Sequence, residues 1–88
     1  MSTVVRNVLN RYRNYLKTHY VEDYIIEEFL ETEAFIDDLL HRGELENAVR
    51  ETASLFEYLE EHRAVNPRTE YPGPGIEFKQ LVFEIDRV

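Results

Sequence analysis

The amino-acid sequence predicts an all-α fold: a small bundle of three long helices, followed by a short C-terminal helix after a loop rich in proline and glycine. Two observations carry this prediction. Apolar residues recur at helical spacing through most of the chain. All three glycines and all three prolines fall between these periodic segments, at Gly43 and within residues 67–75. The 88 residues correspond to one domain over positions 1–88.

The first helix is predicted over residues 3–20. At about 100° per residue, its apolar side chains occupy one half of the helix and its Arg, Asn and Lys side chains the other. The apolar half comprises Val4, Val5, Val8, Leu9, Tyr12, Tyr15, Leu16, His19 and Tyr20. Because His19 lies in the middle of this stripe, we expect it to be a hydrogen-bonded histidine of the core.

A second helix is predicted over residues 23–41 and a third over residues 44–63. Gly43 lies between them and supplies the left-handed residue that commonly ends a helix. So short a connection requires the two helices to form an antiparallel hairpin. Their main apolar stripes are Ile25, Phe29, Ile36, Leu39 and Leu40 in the second helix, and Leu45, Ala48, Val49, Thr52, Leu55, Phe56 and Leu59 in the third.

The last segment admits two structures. As a strand, residues 76–88 break the alternation of apolar and polar side chains at positions 80–83. As a helix over residues 74–87, they place Phe78, Leu81, Val82, Ile85 and Val88 on one stripe. A lone strand would have no partner inside a helical chain and would have to pair with another molecule. The helix is therefore favoured, and the intermolecular strand is the alternative.

The composition of the chain and the spacing of its reactive residues argue against several kinds of functional site. The chain has no cysteine, hence no disulfide and no thiolate nucleophile, which fits a cytoplasmic protein. His19, His41 and His62 are too scattered to form a metal site by local spacing. The sequence has no glycine-rich phosphate loop and no serine placed beside a base. No apolar run reaches the ~20 residues of a membrane span. We therefore expect a non-enzymatic protein without metal, cofactor or membrane segment.

Charge is sorted along the chain. Residues 1–20 carry four basic side chains and no acid, whereas residues 21–63 carry 14 Asp or Glu against three Arg. One line along the first helix contains Arg6, Asn10, Arg13 and Lys17, which are residue types that reach phosphates and base edges. The net charge of −8 would nevertheless repel a nucleic acid. We therefore expect this basic face to pair with acids within or between subunits, and nucleic-acid binding is the third functional alternative.

The second helix carries more apolar surface than a single neighbour requires. Ile26, Leu30 and Ala34 follow one flank of its main stripe, while Tyr24 and Phe35 occupy the opposite flank. Such a helix is either packed centrally between the other three or forms an interface to another protein or to a second copy. An apolar centre within a polar rim is typical of an interface.

These features lead to the hypothesis of a small acidic protein-binding module, an adaptor or inhibitor that docks a basic partner in the manner of antitoxin or immunity proteins. The predicted partner-binding residues are Ile26, Leu30, Glu27, Glu31, Glu33, Asp37 and Asp38. Their carboxylates would steer the partner, and the apolar side chains would hold it. The first alternative is a homodimeric structural subunit of a larger assembly, in which the basic helix of one copy faces the acidic hairpin of another.

Overall fold

The computed structural model describes residues 2–19, 21–65 and 71–86. Within these ranges the chain forms four helices and no strand: α1 (Ser2–Thr18), α2 (Asp23–His41), α3 (Leu45–Val65) and α4 (Ile76–Asp86). The all-α prediction is confirmed, and the C-terminal segment is the helix rather than the strand. The bounds of α2 are the predicted ones. The first helix ends before the predicted position 20, the fourth begins after the predicted position 74, and the predicted end at 87 lies outside the described residues.

A tight turn closes the hairpin of α2 and α3. The N–H of Glu44 donates to the carbonyl of Leu39 at 2.9 Å, and the N–H of Gly43 donates to the carbonyl of Leu40 at 3.1 Å. Gly43 has a φ of +76°, in the left-handed region. This pair of bonds around a left-handed glycine is the Schellman motif, which satisfies carbonyls at the end of a helix. The glycine therefore ends α2 and turns the chain toward α3, as predicted.

We expect Gly43→Val to lower the free energy of unfolding by about 1–2 kcal/mol, because a β-branched residue is strained at positive φ. Open space surrounds the position of an added Cβ, so the loss comes from the backbone alone. Gly43→Asn is the matched control, since asparagine tolerates this conformation better and should lose clearly less. Urea denaturation of both variants measures the difference, and equal losses would contradict this explanation.

The helices pack around one core. α1 contacts both helices of the hairpin, and α4 packs against α1 and α3 without touching α2. The predicted stripes supply most of the buried side chains: Val5, Val8, Leu9, Tyr12 and Leu16 from α1, Ile25, Phe29, Ile36 and Leu39 from α2, Ala48, Val49, Thr52, Leu55, Phe56 and Leu59 from α3, and Phe78 and Leu81 from α4. Because α2 has neighbours on only part of its circumference, its remaining face is turned to solvent.

Contacts from α1 hold the connection that leads into α4. The hydroxyl of Tyr12 donates to the carbonyl of Pro72, and its ring stacks on Phe56 with centroids 4.3 Å apart. The guanidinium of Arg11 donates to the carbonyl of Gly73 at 3.1 Å. Burial, reinforced by the charge of Glu60 and opposed by that of Arg11, raises the pKa of Tyr12 to about 12. These contacts fix where α4 begins.

The prediction of a buried His19 is wrong. α1 ends at Thr18, so the apolar stripe stops before His19 and its side chain is exposed. The imidazole instead stacks on the ring of Tyr15 with centroids 3.9 Å apart, and its Nδ1 lies 3.0 Å from the carbonyl oxygen of Tyr15. His19 therefore covers the end of α1 rather than filling the core.

Candidate protein-binding surface on α2

Three large apolar side chains of α2 remain about half exposed. Leu30 is 43% exposed, Phe35 is 47% exposed and Tyr24 is 52% exposed. Ile26, by contrast, is only partly exposed and packs against the core. Of the two apolar residues predicted to form the binding site, Leu30 is therefore available to a partner and Ile26 is largely occupied.

Two of the predicted partner-binding acids are already paired with basic side chains of α1. The carboxylate of Asp37 accepts a hydrogen bond from the guanidinium of Arg6 at 2.5 Å, and that of Glu33 lies 3.3 Å from the guanidinium of Arg13. The hydrogen bond from Arg6 holds the pKa of Asp37 below its usual range, with a smaller contribution from the charge of His41. Glu33 and Asp37 thus join α2 to α1.

Part of the basic face of α1 is therefore already paired inside the molecule. Arg6 pairs with an acid of α2, and Arg13 both pairs with an acid of α2 and donates to the amide oxygen of Asn10 at 2.6 Å. Within the described part of the chain, Lys17 is the member of this face without a hydrogen bond or ion pair. The pairs of Arg6 and Arg13 are the internal pairing with acids that the sequence led us to expect.

The remaining predicted acids point away from the bundle. Glu27, Glu31 and Asp38 are exposed. Asp38 pairs with Arg42 one turn later at 2.5 Å. No hydrogen bond or ion pair to Glu27 or Glu31 is found among residues 2–19, 21–65 and 71–86, so these two carboxylates are open to solvent and to a partner.

Seven of the ten exposed side chains of α2 form a surface here called the outward α2 face; Asp23, Glu28 and His41 are the other three. It consists of Tyr24, Glu27, Leu30, Glu31, Ala34, Phe35 and Asp38. Three acids and an alanine follow its centre line, with Leu30 on one side and with Tyr24 and Phe35 on the other. The sequence led us to expect an apolar centre within an acidic rim, whereas the helix presents an acidic centre between two apolar flanks.

A groove between α1 and α2 borders this face. It has a volume of about 390 Å³, with Leu9, Leu30, Ala34 and Leu40 among its lining residues. The ion-paired Arg6, Arg13, Glu33 and Asp37 line it as well. The groove therefore combines apolar lining with charges that already neutralise one another.

Sequence reasoning missed a second exposed apolar pair, on α4. Ile76 is 72% exposed and Phe83 is 67% exposed. They are seven residues apart and so share one face of the helix, opposite the buried Phe78 and Leu81. The helical stripe was predicted from the buried side alone, and the spacing of Ile76 and Phe83 was the signal for a second apolar face.

Other kinds of site find no support in the described residues. No group of three or more His, Asp or Glu side chains that could hold a metal ion occurs among them. None of the four helices, as far as they are described, combines the length and apolar character needed to cross a membrane. Comparisons with protein-family models, with curated proteins and with solved structures find no match to this chain.

Proposed function

We propose that this chain is a small helical protein-binding module, an adaptor or an inhibitor, that docks a partner with a basic surface on the outward α2 face. One observation carries the proposal: Leu30, Tyr24 and Phe35 stand about half exposed beside Glu27 and Glu31, which are free of internal partners among the described residues. Exposed aromatic and aliphatic side chains next to uncommitted charge are what a docking surface requires.

The free energies of apolar burial and of ion pairing assign different roles to the apolar residues and to the carboxylates of this face. Burying the exposed half of a large apolar side chain contributes about 1 kcal/mol, so Tyr24, Leu30 and Phe35 together supply about 3 kcal/mol. An exposed ion pair adds only about 0.2–1 kcal/mol. The apolar side chains therefore hold the partner, while the carboxylates mainly raise the association rate and select for positive charge.

The structure lends less support to the two alternatives. Binding of nucleic acid through α1 would have to release Arg6 and Arg13 from Asp37 and Glu33, at a net charge of −8. A homodimer that pairs α1 with the hairpin of another copy would have fewer free charges to use, because Arg6 and Arg13 already pair with Asp37 and Glu33 within one chain. A dimeric mass in light scattering at micromolar concentration would instead favour the homodimer hypothesis.

The test is capture of a partner from a lysate of the native host, with identification by mass spectrometry. We expect Leu30→Asp to abolish capture, because it places a charge where the partner buries an apolar side chain. Circular dichroism should remain helical, since Leu30 is 43% exposed. Phe83→Asp on α4 is the matched control and should retain the partner. A Leu30→Asp protein that binds the identified partner with native affinity would show that α2 is not the site.

A further inference from the structure

We propose that the occupant of the outward α2 face is a basic amphipathic α-helix that lies along α2. This inference rests on the proposed function and names the partner's chemistry and secondary structure. Three features carry it: the spacing of the acids on the centre line, the small residue among them, and the apolar flanks on both sides.

The centre line has the spacing of a helix-packing seam. Glu27, Glu31, Ala34 and Asp38 follow one another at intervals of four, three and four residues, which places them in a row along one side of the helix. The row extends for about 16 Å at 1.5 Å per residue, or three helical turns. A straight row of this length matches a second helix laid beside α2.

Ala34 is the point at which such a helix approaches most closely. Its side chain is exposed and short, and it stands between the carboxylates of Glu31 and Asp38. Ala34 also lines the groove of about 390 Å³ between α1 and α2, together with Leu9 and Leu30. A large apolar side chain of the partner placed opposite Ala34 can enter this groove, in the way that knobs fill holes between packed helices.

The flanks and the charges specify the rest of the partner. Leu30 on one side, and Tyr24 and Phe35 on the other with the exposed Glu28 among them, favour apolar side chains along both edges of the docked helix. The carboxylates of Glu27, Glu31 and Asp38, the last of which also pairs with Arg42, favour Lys or Arg along its centre. The matching pattern has four positions along the centre of the docked helix. The first is a basic residue, the second is a basic residue four positions later, the third is an apolar residue three positions after that, and the fourth is a basic residue four positions further on. This order applies to a helix parallel to α2. In an antiparallel helix the spacing is the same, but the apolar residue is the second of the four.

The probes are two synthetic helical peptides, one with this order and one with the reversed order, each with three lysines on the centre line and leucines on both flanks. The tighter binder of the two is here called the patterned peptide. A control peptide has the same composition, with the lysines moved to the opposite side of the helix. A three-turn contact is smaller than a standard protein interface of about 800 Å² per partner, so we expect micromolar affinity for the patterned peptide. The control peptide should bind about tenfold more weakly, because its lysines miss the carboxylates. Isothermal titration calorimetry measures all three peptides.

Two matched double variants distinguish the effect of the outward α2 face from the effect of the overall charge of the protein. Glu27→Lys with Glu31→Lys reverses two acids four residues apart on α2, whereas Glu57→Lys with Glu61→Lys makes the same change at exposed positions on α3. We expect the double substitution on α2 to weaken binding of the patterned peptide about tenfold or more. The double substitution on α3 should change its affinity by no more than about twofold. Equal weakening by both double substitutions, or equal binding of the patterned and control peptides, would overturn the proposal.

The experiment also distinguishes this inference from the function on which it rests. If Leu30→Asp abolishes capture of the natural partner but the patterned and control peptides bind equally, the face is a docking site and its occupant is not a basic helix. If these peptides differ as expected but Leu30→Asp still captures the natural partner, the face prefers a basic helix and the natural partner docks elsewhere. Circular dichroism of each variant checks that the fold is intact.

Discussion

Replacing Phe29 by alanine should lower the free energy of unfolding by about 3–5 kcal/mol, the usual loss when a buried phenylalanine leaves a cavity. The side chain of Phe29 has no exposed surface and lies in the part of α2 that faces the other helices. A domain of this size has a total stability of about 5–10 kcal/mol, so this one substitution removes a large share of it. The midpoint of urea denaturation, followed by circular dichroism, measures the loss.

Phe35 on the same helix provides the control. It is 47% exposed, and Phe35→Ala should change the free energy of unfolding by less than about 1 kcal/mol. The same variant should bind the partner more weakly, because Phe35 belongs to the outward α2 face. Of these two phenylalanines, six residues apart, replacing Phe29 would thus mainly lower stability and replacing Phe35 would mainly weaken binding. Comparable losses of stability in both variants would mean that Phe35 is a core residue and that the docking face is misplaced.

Alkaline pH should destabilise the fold through Tyr12. Its pKa is raised from 10.0 to about 12, so the folded state favours the neutral hydroxyl. The corresponding stabilisation is fully present below pH 10 and is lost as the pH rises through 12. A shift of two units corresponds to roughly 2–3 kcal/mol. Urea denaturation at several pH values between 8 and 12 measures this loss, and absorbance at 295 nm follows ionisation of the tyrosines.

Tyr12→Phe identifies the group responsible. The variant keeps the ring on Phe56 but loses the hydrogen bond to the carbonyl of Pro72, which costs about 0.5–1.5 kcal/mol at neutral pH. Its stability should fall less steeply than that of the unchanged protein between pH 10 and 12. Burial also raises the pKa values of Tyr58 and Tyr71, so some alkaline loss remains in both proteins. Identical pH profiles of the two proteins would contradict a role for the Tyr12 hydroxyl.

The fold was predictable because its determinants are local. The spacing of Ile25, Phe29 and Ile36 defines which side of α2 is buried, and Gly43 alone determines where the hairpin turns. The end of α1 was less predictable. His19 continues the apolar stripe in the sequence, but the chain leaves the helix at Thr18, and no residue in that segment signals the end.

The candidate site was predictable only in part because its composition depends on how the helices cross. Whether Glu33 and Asp37 face solvent or pair with Arg13 and Arg6 is decided by the position of α1 beside α2, which no local spacing reveals. The exposure of Leu30 could be anticipated from the width of the apolar arc. The acidic centre line could also have been derived from the sequence, by asking which residues lie opposite Phe29.

The link between Tyr12 and Pro72 has a consequence for the order of assembly. It joins residues 60 positions apart, whereas the turn at Gly43 joins neighbours in the chain. Closing a long loop costs more chain entropy than closing a short one, and contacts distant in sequence slow folding. We expect the central hairpin to form first and the two outer helices to dock late. The outward α2 face belongs to that early hairpin, so the proposed docking surface would form before the two outer helices have packed.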